Sequence, residues 1–221
     1  MMKNKTIHIN EQVPADYKNM SISEAQHFDR QVRQNFMPAI ISTARQIIED
    51  YGILEGICVE VGCGTALFAI ELCRRSHLKI YALENVKAIY EIADMNIEKE
   101  GLRDRIIPVL GNAYNLPFES TFADFIVSRG SYHCWKDKAR VFKEIYRVLK
   151  KGGIGFVGGG FGRYISDEEA ARLKSLRDRS LGEDARIYNS PDKLKKYIRE
   201  ADISDFLVIY DKAGLWAQIR K

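Results

Sequence analysis

Cysteine is scarce: the 221 residues hold four, at Cys58, Cys63, Cys73 and Cys134. The first three are spaced C-x4-C-x9-C, which matches no common zinc or iron–sulfur ligand pattern, so no metal site is expected. Long apolar runs are missing too, and none approaches the length needed to cross a bilayer. The start, Met1-Met2-Lys3-Asn4-Lys5, has no apolar stretch of the secretory type. Charge of one sign is nearly absent as a surplus: 34 basic against 30 acidic residues leave +4. The basic residues are scattered rather than aligned, which disfavours a nucleic-acid partner. No internal repeat and no low-complexity linker interrupts the chain. These absences exclude a disulfide scaffold, a disordered chain and a collagen-like fibre. The expectation is a cytoplasmic protein with free thiols and no membrane partner.

What is present is an alternation. A capping box at Ser21-Ile22-Ser23-Glu24 predicts a helix from about Ile22 to Phe36. Pro38 then suits the first turn of a second helix, running to Asp50 and stopped by Gly52. From Gly56 onward, short β-branched runs alternate with helical stripes. The runs are 57–61, 79–83, 106–110, 123–127 and 154–157, and the stripes include Ile89, Ile92, Ala93 and Ile97, then Val141, Ile145, Val148 and Leu149. Such alternation predicts a parallel sheet covered by helices on both faces. Near the end, the runs 203–210 and 215–219 are joined by a link too short for a parallel crossover, so they form a hairpin. The reading is an α/β fold: a Rossmann-like, doubly wound, mostly parallel seven-stranded sheet with an antiparallel C-terminal edge hairpin. One domain is expected over 1–221, with a helical segment 1–52 covering the site and a core from 53 to 221.

The chemistry gathers at strand ends. Glu60-Val61-Gly62-Cys63-Gly64-Thr65 lies between the first strand and its helix, where glycines let backbone approach a ligand closely. A dinucleotide fingerprint needs a third glycine at the position of Leu67, and Glu60 is foreign to it, so the dehydrogenase reading fails. Glu84 ends the second strand, where a carboxylate can bind both ribose hydroxyls or simply face water. Gly111-Asn112-Ala113 follows the third strand, where Asn112 can bond an adenine amine or cap a turn.

These landmarks, with Ala123-Asp124-Phe125-Ile126-Val127-Ser128 and Phe142 to Gly153, resemble class I S-adenosylmethionine-dependent methyltransferases. The chain is similar to the branch that includes the ubiquinone and menaquinone C-methyltransferases. The resemblance implies S-adenosylmethionine as cofactor, S-adenosylhomocysteine as product and a small-molecule methyl acceptor as partner. It implies cofactor contacts from Glu60, Gly62, Cys63, Gly64, Thr65, Glu84, Asn85, Asn112, Ala113 and Arg129. Ala66 stands where many members have a third glycine, and Asn112 where Asp is commoner.

In Ser128-Arg129-Gly130-Ser131-Tyr132-His133-Cys134-Trp135, His133 is the candidate catalytic base, with a packing role as the plainer reading. Tyr132 and Trp135 either line the acceptor pocket or anchor the loop, and Phe28 is a further candidate acceptor contact on the first helix. The run Gly158-Gly159-Gly160-Phe161-Gly162 is either a flexible rim over the substrate or a place of close backbone approach. Asp137 is expected to cap the next helix. An Asn-Pro-Pro-Tyr-type motif is missing, which disfavours methylation of a nucleobase or amide nitrogen. A protein that binds the cofactor without turnover carries the same signals.

Overall fold

The computed structural model describes residues 19–181 and 190–221; the part of the expected N-terminal segment before Asn19 lies outside the described residues. In chain order the elements are α1 (Ile22–Tyr51), β1 (Ile57–Val61), α2 (Leu67–Arg74), β2 (Lys79–Glu84), α3 (Lys87–Lys99), β3 (Ile106–Leu110) and β4 (Ala123–Arg129). They continue as α4 (Lys138–Val148), β5 (Leu149–Gly160), α5 (Asp167–Leu181), α6 (Pro191–Glu200), β6 (Phe206–Asp211) and β7 (Gly214–Arg220).

The seven strands form one sheet in the order β3-β2-β1-β4-β5-β7-β6. Pairings from β3 to β5 are parallel, and β7 is antiparallel to both β5 and β6. The hairpin therefore forms as expected, with its second strand inserted between β5 and its first.

Period-two alternation sorts the strand residues onto two faces. Cys58, Ile80, Phe125 and Phe156 meet Ile40, Ala44 and Ile47 of α1 and the inner faces of α2 and α3. Their neighbours Val59, Ile126 and Val157 meet Val141, Phe142 and Ile145 of α4 and Leu194 and Ile198 of α6. Both faces are dry, which is why β1 reads as an almost unbroken apolar run. The loops after β1 and β4 diverge from adjacent strands, and the carboxyl edge between them is the switch point where α/β sheets bind ligands.

Two expectations are corrected, and one helix is added. The helices expected on either side of Pro38 are one helix of 30 residues. The capping box at Ser21 and Glu24 is formed, and Gly52 ends the helix at φ +60°. Pro38 removes one backbone hydrogen bond, yet the row Phe28, Val32, Phe36, Ile40, Ala44 continues at four-residue spacing across it, and its apolar contacts hold the two halves in line. Next, β5 starts at Leu149, expected as the end of the helical stripe, and so well before Ile154. Its pairing with β4 shifts register between Ala123 and Phe125, and Lys150 bonds Asp124 inside the irregularity. In addition, α5 occupies a stretch where no element is expected: among the described residues Leu173 is its one fully buried anchor, and its other turns are rich in charge.

Candidate active site

The loop after β1 is fastened from below. The backbone N–H groups of Gly62 and Cys63 both donate to the Leu83 carbonyl at 2.9 Å, tying the turn to the end of β2. Gly62 adopts φ +74° and Gly64 φ +56°, the left-handed region in which a Cβ is costly. A Cβ on Gly62 would also sit 2.5 Å from Ser131 Oγ, the hydroxyl that donates to the Val61 carbonyl at 3.0 Å. The β1 and β4 loops thus lock together through Ser131. Ala66, just before α2, takes φ +64°: the third position of the turn keeps a glycine-like conformation without glycine, at a cost of about 1–2 kcal/mol.

Glu84 gathers the ends of these elements. Its Oε2 accepts from the Gly64 N–H at 3.0 Å, and its Oε1 accepts from the Asn85 and Val86 N–H groups at 2.8 and 3.1 Å. Burial raises its carboxyl above the ordinary range even against these three amides. Glu60 is more extreme. It is 1% exposed, and its Oε2 has no hydrogen-bond partner among the described residues. Burial lifts its carboxyl well above the usual range, opposed by the Arg129 charge and the Ala69 amide and reinforced by Glu84. The Cys63 thiol is pushed up by burial and by both carboxylates, so it stays a neutral packing group.

These groups face one cavity of about 380 Å³ at the carboxyl edge of the sheet, a size suited to small-molecule ligands. Glu60, Gly62, Cys63, Gly64 and Thr65 line it from β1 and the turn, and Glu84 and Asn85 from β2. Asn112 and Ala113 line it after β3, Arg129, His133 and Trp135 after β4, and Phe28 from α1. Asn112 also has the turn-capping role, since its Oδ1 accepts from the Tyr114 N–H at 2.9 Å. Arg129 donates to the Gly160 carbonyl at 3.2 Å.

Tyr132 does not reach the cavity. A single turn of tight helix at Tyr132–Cys134 sends successive side chains to different sides. His133 faces the cavity, while Tyr132, 2% exposed, enters the core on the α4 side and meets Trp135 edge-on at 6.4 Å. Asp137 caps α4 through the Arg140 N–H. The glycine run ending β5 is a place of close approach: a Cβ on Gly160 would overlap the Ala213 carbonyl of the neighbouring hairpin. Sequence reading missed Val32, Phe36 and Ile40 of α1, Phe68 and Arg177, all on the cavity wall, and it named Phe161, also on that wall, only within the glycine run. The four-residue row along α1 was the available signal, and it was hidden by the expected break at Pro38.

Residues 59–157 match the family model described as a methyltransferase domain. A solved structure from Methanococcus maripaludis, of a protein assigned as an S-adenosyl-L-methionine-dependent methyltransferase, is 35% identical. It superposes with a TM-score of 0.83 over 91% of this chain and 93% of that one. The chain belongs to the S-adenosylmethionine-dependent methyltransferase family. A sterol 24-C-methyltransferase of Aspergillus fumigatus is 31% identical over 130 residues, 58% of this chain and 34% of that protein. A demethylmenaquinone methyltransferase of Geobacillus stearothermophilus is 27% identical over 153 residues, 65% of this chain and 61% of that protein. The chain thus spans about a third of the first of these curated relatives and under two thirds of the second.

The cofactor of this methyltransferase family, S-adenosylmethionine, suits the residues present. An ammonium is what a buried carboxylate oxygen without a partner, such as Glu60 Oε2, would accept from. The open side of Gly64, where a Cβ would meet nothing nearer than Phe28 at 3.7 Å, leaves room for a ligand against the backbone.

Proposed function

We propose that the chain transfers a methyl group from S-adenosylmethionine to a small-molecule acceptor and releases S-adenosylhomocysteine. The observation that carries this reading is the orphaned Glu60 oxygen in a cavity that Gly64 and Glu84 share. When bound, the cofactor supplies a methyl group already activated on a positively charged sulfur, open to in-line displacement. The chain's own contribution is alignment and exclusion of water. Glu60 and the Gly62–Gly64 turn hold the methionine end, and Arg129 supplies a charge for its carboxylate. Glu84 and Asn85 bind the ribose, and Asn112 and Ala113 the adenine. α1 roofs the cavity through Phe28, and the acceptor enters beside Trp135. His133, on the same wall, takes the acceptor's proton where the nucleophile carries one.

An acceptor of small size is supported by a cavity of about 380 Å³. Among the described residues no helix is long and apolar enough to cross a membrane. Four free cysteines, with Cys58, Cys63 and Cys73 buried, support a reducing compartment, read here as the cytoplasm.

Calorimetric titration with S-adenosylmethionine and S-adenosylhomocysteine tests the reading, beside Gly62→Arg and an NAD control. Micromolar binding of both adenosyl ligands, lost in the variant, is expected. A folded protein that binds neither, or that prefers NAD, refutes it. Transfer of isotopic label from the methyl group to an extracted metabolite pool then separates turnover from binding alone.

A further inference from the structure

Away from the cofactor-facing loops the cavity runs toward α1, the end of β5 and α5. Its wall there is apolar and aromatic, built by Val32, Phe36, Ile40, Phe68 and Phe161. One charged side chain from α5 enters this wall: Arg177. Its position on the helix is informative. α5 packs Ala170, Leu173 and Leu176 against Ala39 and Phe161, and a residue four places after Leu173 shares that face. An apolar residue at 177 would complete the cluster.

A guanidinium stands there instead. Its side chain is 16% exposed, and its Cζ lies 5.3 Å from the centre of the Phe161 ring. The Asp178 carboxylate, which receives Nε and Nη2 at 3.1 and 3.0 Å, offsets part of the cost of removing that charge from water. A planar cation against an aromatic ring, inside a ligand cavity, is suited to an oxyanion on a flat apolar molecule.

The geometry points to Arg177 as the contact for an anionic group on the methyl acceptor: an apolar, ring-bearing molecule with a carboxylate or phosphate, its ring held by Phe36 and Phe161. This assignment rests on the methyl-transfer reading of the same cavity.

The full chain, saturated with S-adenosylhomocysteine, is titrated with matched pairs. These are indole-3-acetate and indole-3-acetamide, 4-hydroxybenzoate and 4-hydroxybenzamide, and 1-naphthyl phosphate and 1-naphthol. In the wild type, the charged member of at least one pair binds about tenfold or more tightly than its neutral partner, and the pairs distinguish carboxylate from phosphate. Arg177→Gln abolishes that preference and Arg177→Lys keeps part of it, while S-adenosylhomocysteine affinity stays within about twofold. Equal binding within every pair, no binding by any probe, or a preference that survives Arg177→Gln overturns the assignment. So does loss of S-adenosylhomocysteine binding in Arg177→Gln, because Arg177 then serves the cofactor or the fold. Failure of the wild type to bind S-adenosylhomocysteine, measured before any probe is added, instead overturns the methyl-transfer reading.

Discussion

After β1 the chain turns through Gly62 and Gly64 with φ of +74° and +56°, whereas β5 ends on Gly158, Gly159 and Gly160 in strand conformation. By composition the two ends look alike. By environment they are opposites: a Cβ on Gly64 would meet only Phe28, at an ordinary contact distance of 3.7 Å, while one on Gly160 would overlap the backbone of the β6–β7 hairpin. The first end uses glycine to leave room for a ligand, and the second uses it to bring two strands together. Glycine richness at a strand end is therefore ambiguous until its neighbours are known. The charges separate the two cases, since Glu60 and Glu84 are buried beside the first turn.

The comparison is tested most strongly at the β5 end. Gly160→Val forces β5 and β7 apart and is expected to cost about 3 kcal/mol of stability, read as a lower urea midpoint. An unchanged midpoint would show that the close approach is not needed. At the β1 end the effect should move from folding to binding. Gly64→Val is expected to weaken S-adenosylhomocysteine binding about a hundredfold, or about 2.8 kcal/mol. Its cost to stability is the smaller strain of a side chain at positive φ, about 1–2 kcal/mol. Calorimetry and urea unfolding on the same sample separate the two quantities; equal losses in both would dissolve the distinction.

Much of this architecture was legible because the signals are local. Runs such as 57–61 alternate between two dry faces, helical stripes follow them, and the link at Lys212-Ala213-Gly214 permits nothing but a hairpin. The cavity wall at the strand ends was legible for the same reason, as the backbone of short turns builds it and each turn has its own motif. The rest of the wall is made of side chains on α1, α2 and α5, brought together only by packing. Pro38 hid the continuity of α1, because one missing hydrogen bond is visible in a sequence and a row of apolar contacts across it is not. α5 was missed because its apolar positions, Ala170, Leu173 and Leu176 among them, are few beside its charged ones. The choice left open at Tyr132 falls to anchoring, because adjacent residues in a tight turn point apart: Tyr132 packs in the core while His133, Cys134 and Trp135 line the cavity.

Glu60 gives the next prediction, since a buried carboxylate is a cost that the β5 end does not bear. The folded chain holds its proton more tightly than the unfolded chain, because burial lifts the folded value well above the ordinary 4.5. The folded state therefore binds more protons between those two values, and stability falls as pH rises through that window. Glu84, raised in the same direction, adds to the slope. Glu60→Gln removes the larger part of it. The variant should match the wild type near pH 5 and exceed it by about 1–2 kcal/mol near pH 8, while binding S-adenosylmethionine more weakly. Urea unfolding across that range checks the sign. A wild type that grows more stable with rising pH would mean that Glu60 is compensated in the folded protein.

The finest test lies within β5 itself, at Gly155. Its backbone is not in the left-handed region, and a Cβ there would lie 3.4 Å from Ile145 Cγ2 and Leu149 Cδ1 and 3.5 Å from Ile219 Cβ, ordinary contact with flexible side chains. Nothing on the neighbouring strand has to move. Gly155→Ala also lowers the entropy of the unfolded chain, which favours the folded state. The expected change is within about 0.5 kcal/mol of zero, read from the same urea midpoints. A loss near that of Gly160→Val would mean that the whole strand requires glycine. A near-neutral result would confine the requirement to the stretch where the backbone of β7 leaves no space for a side chain.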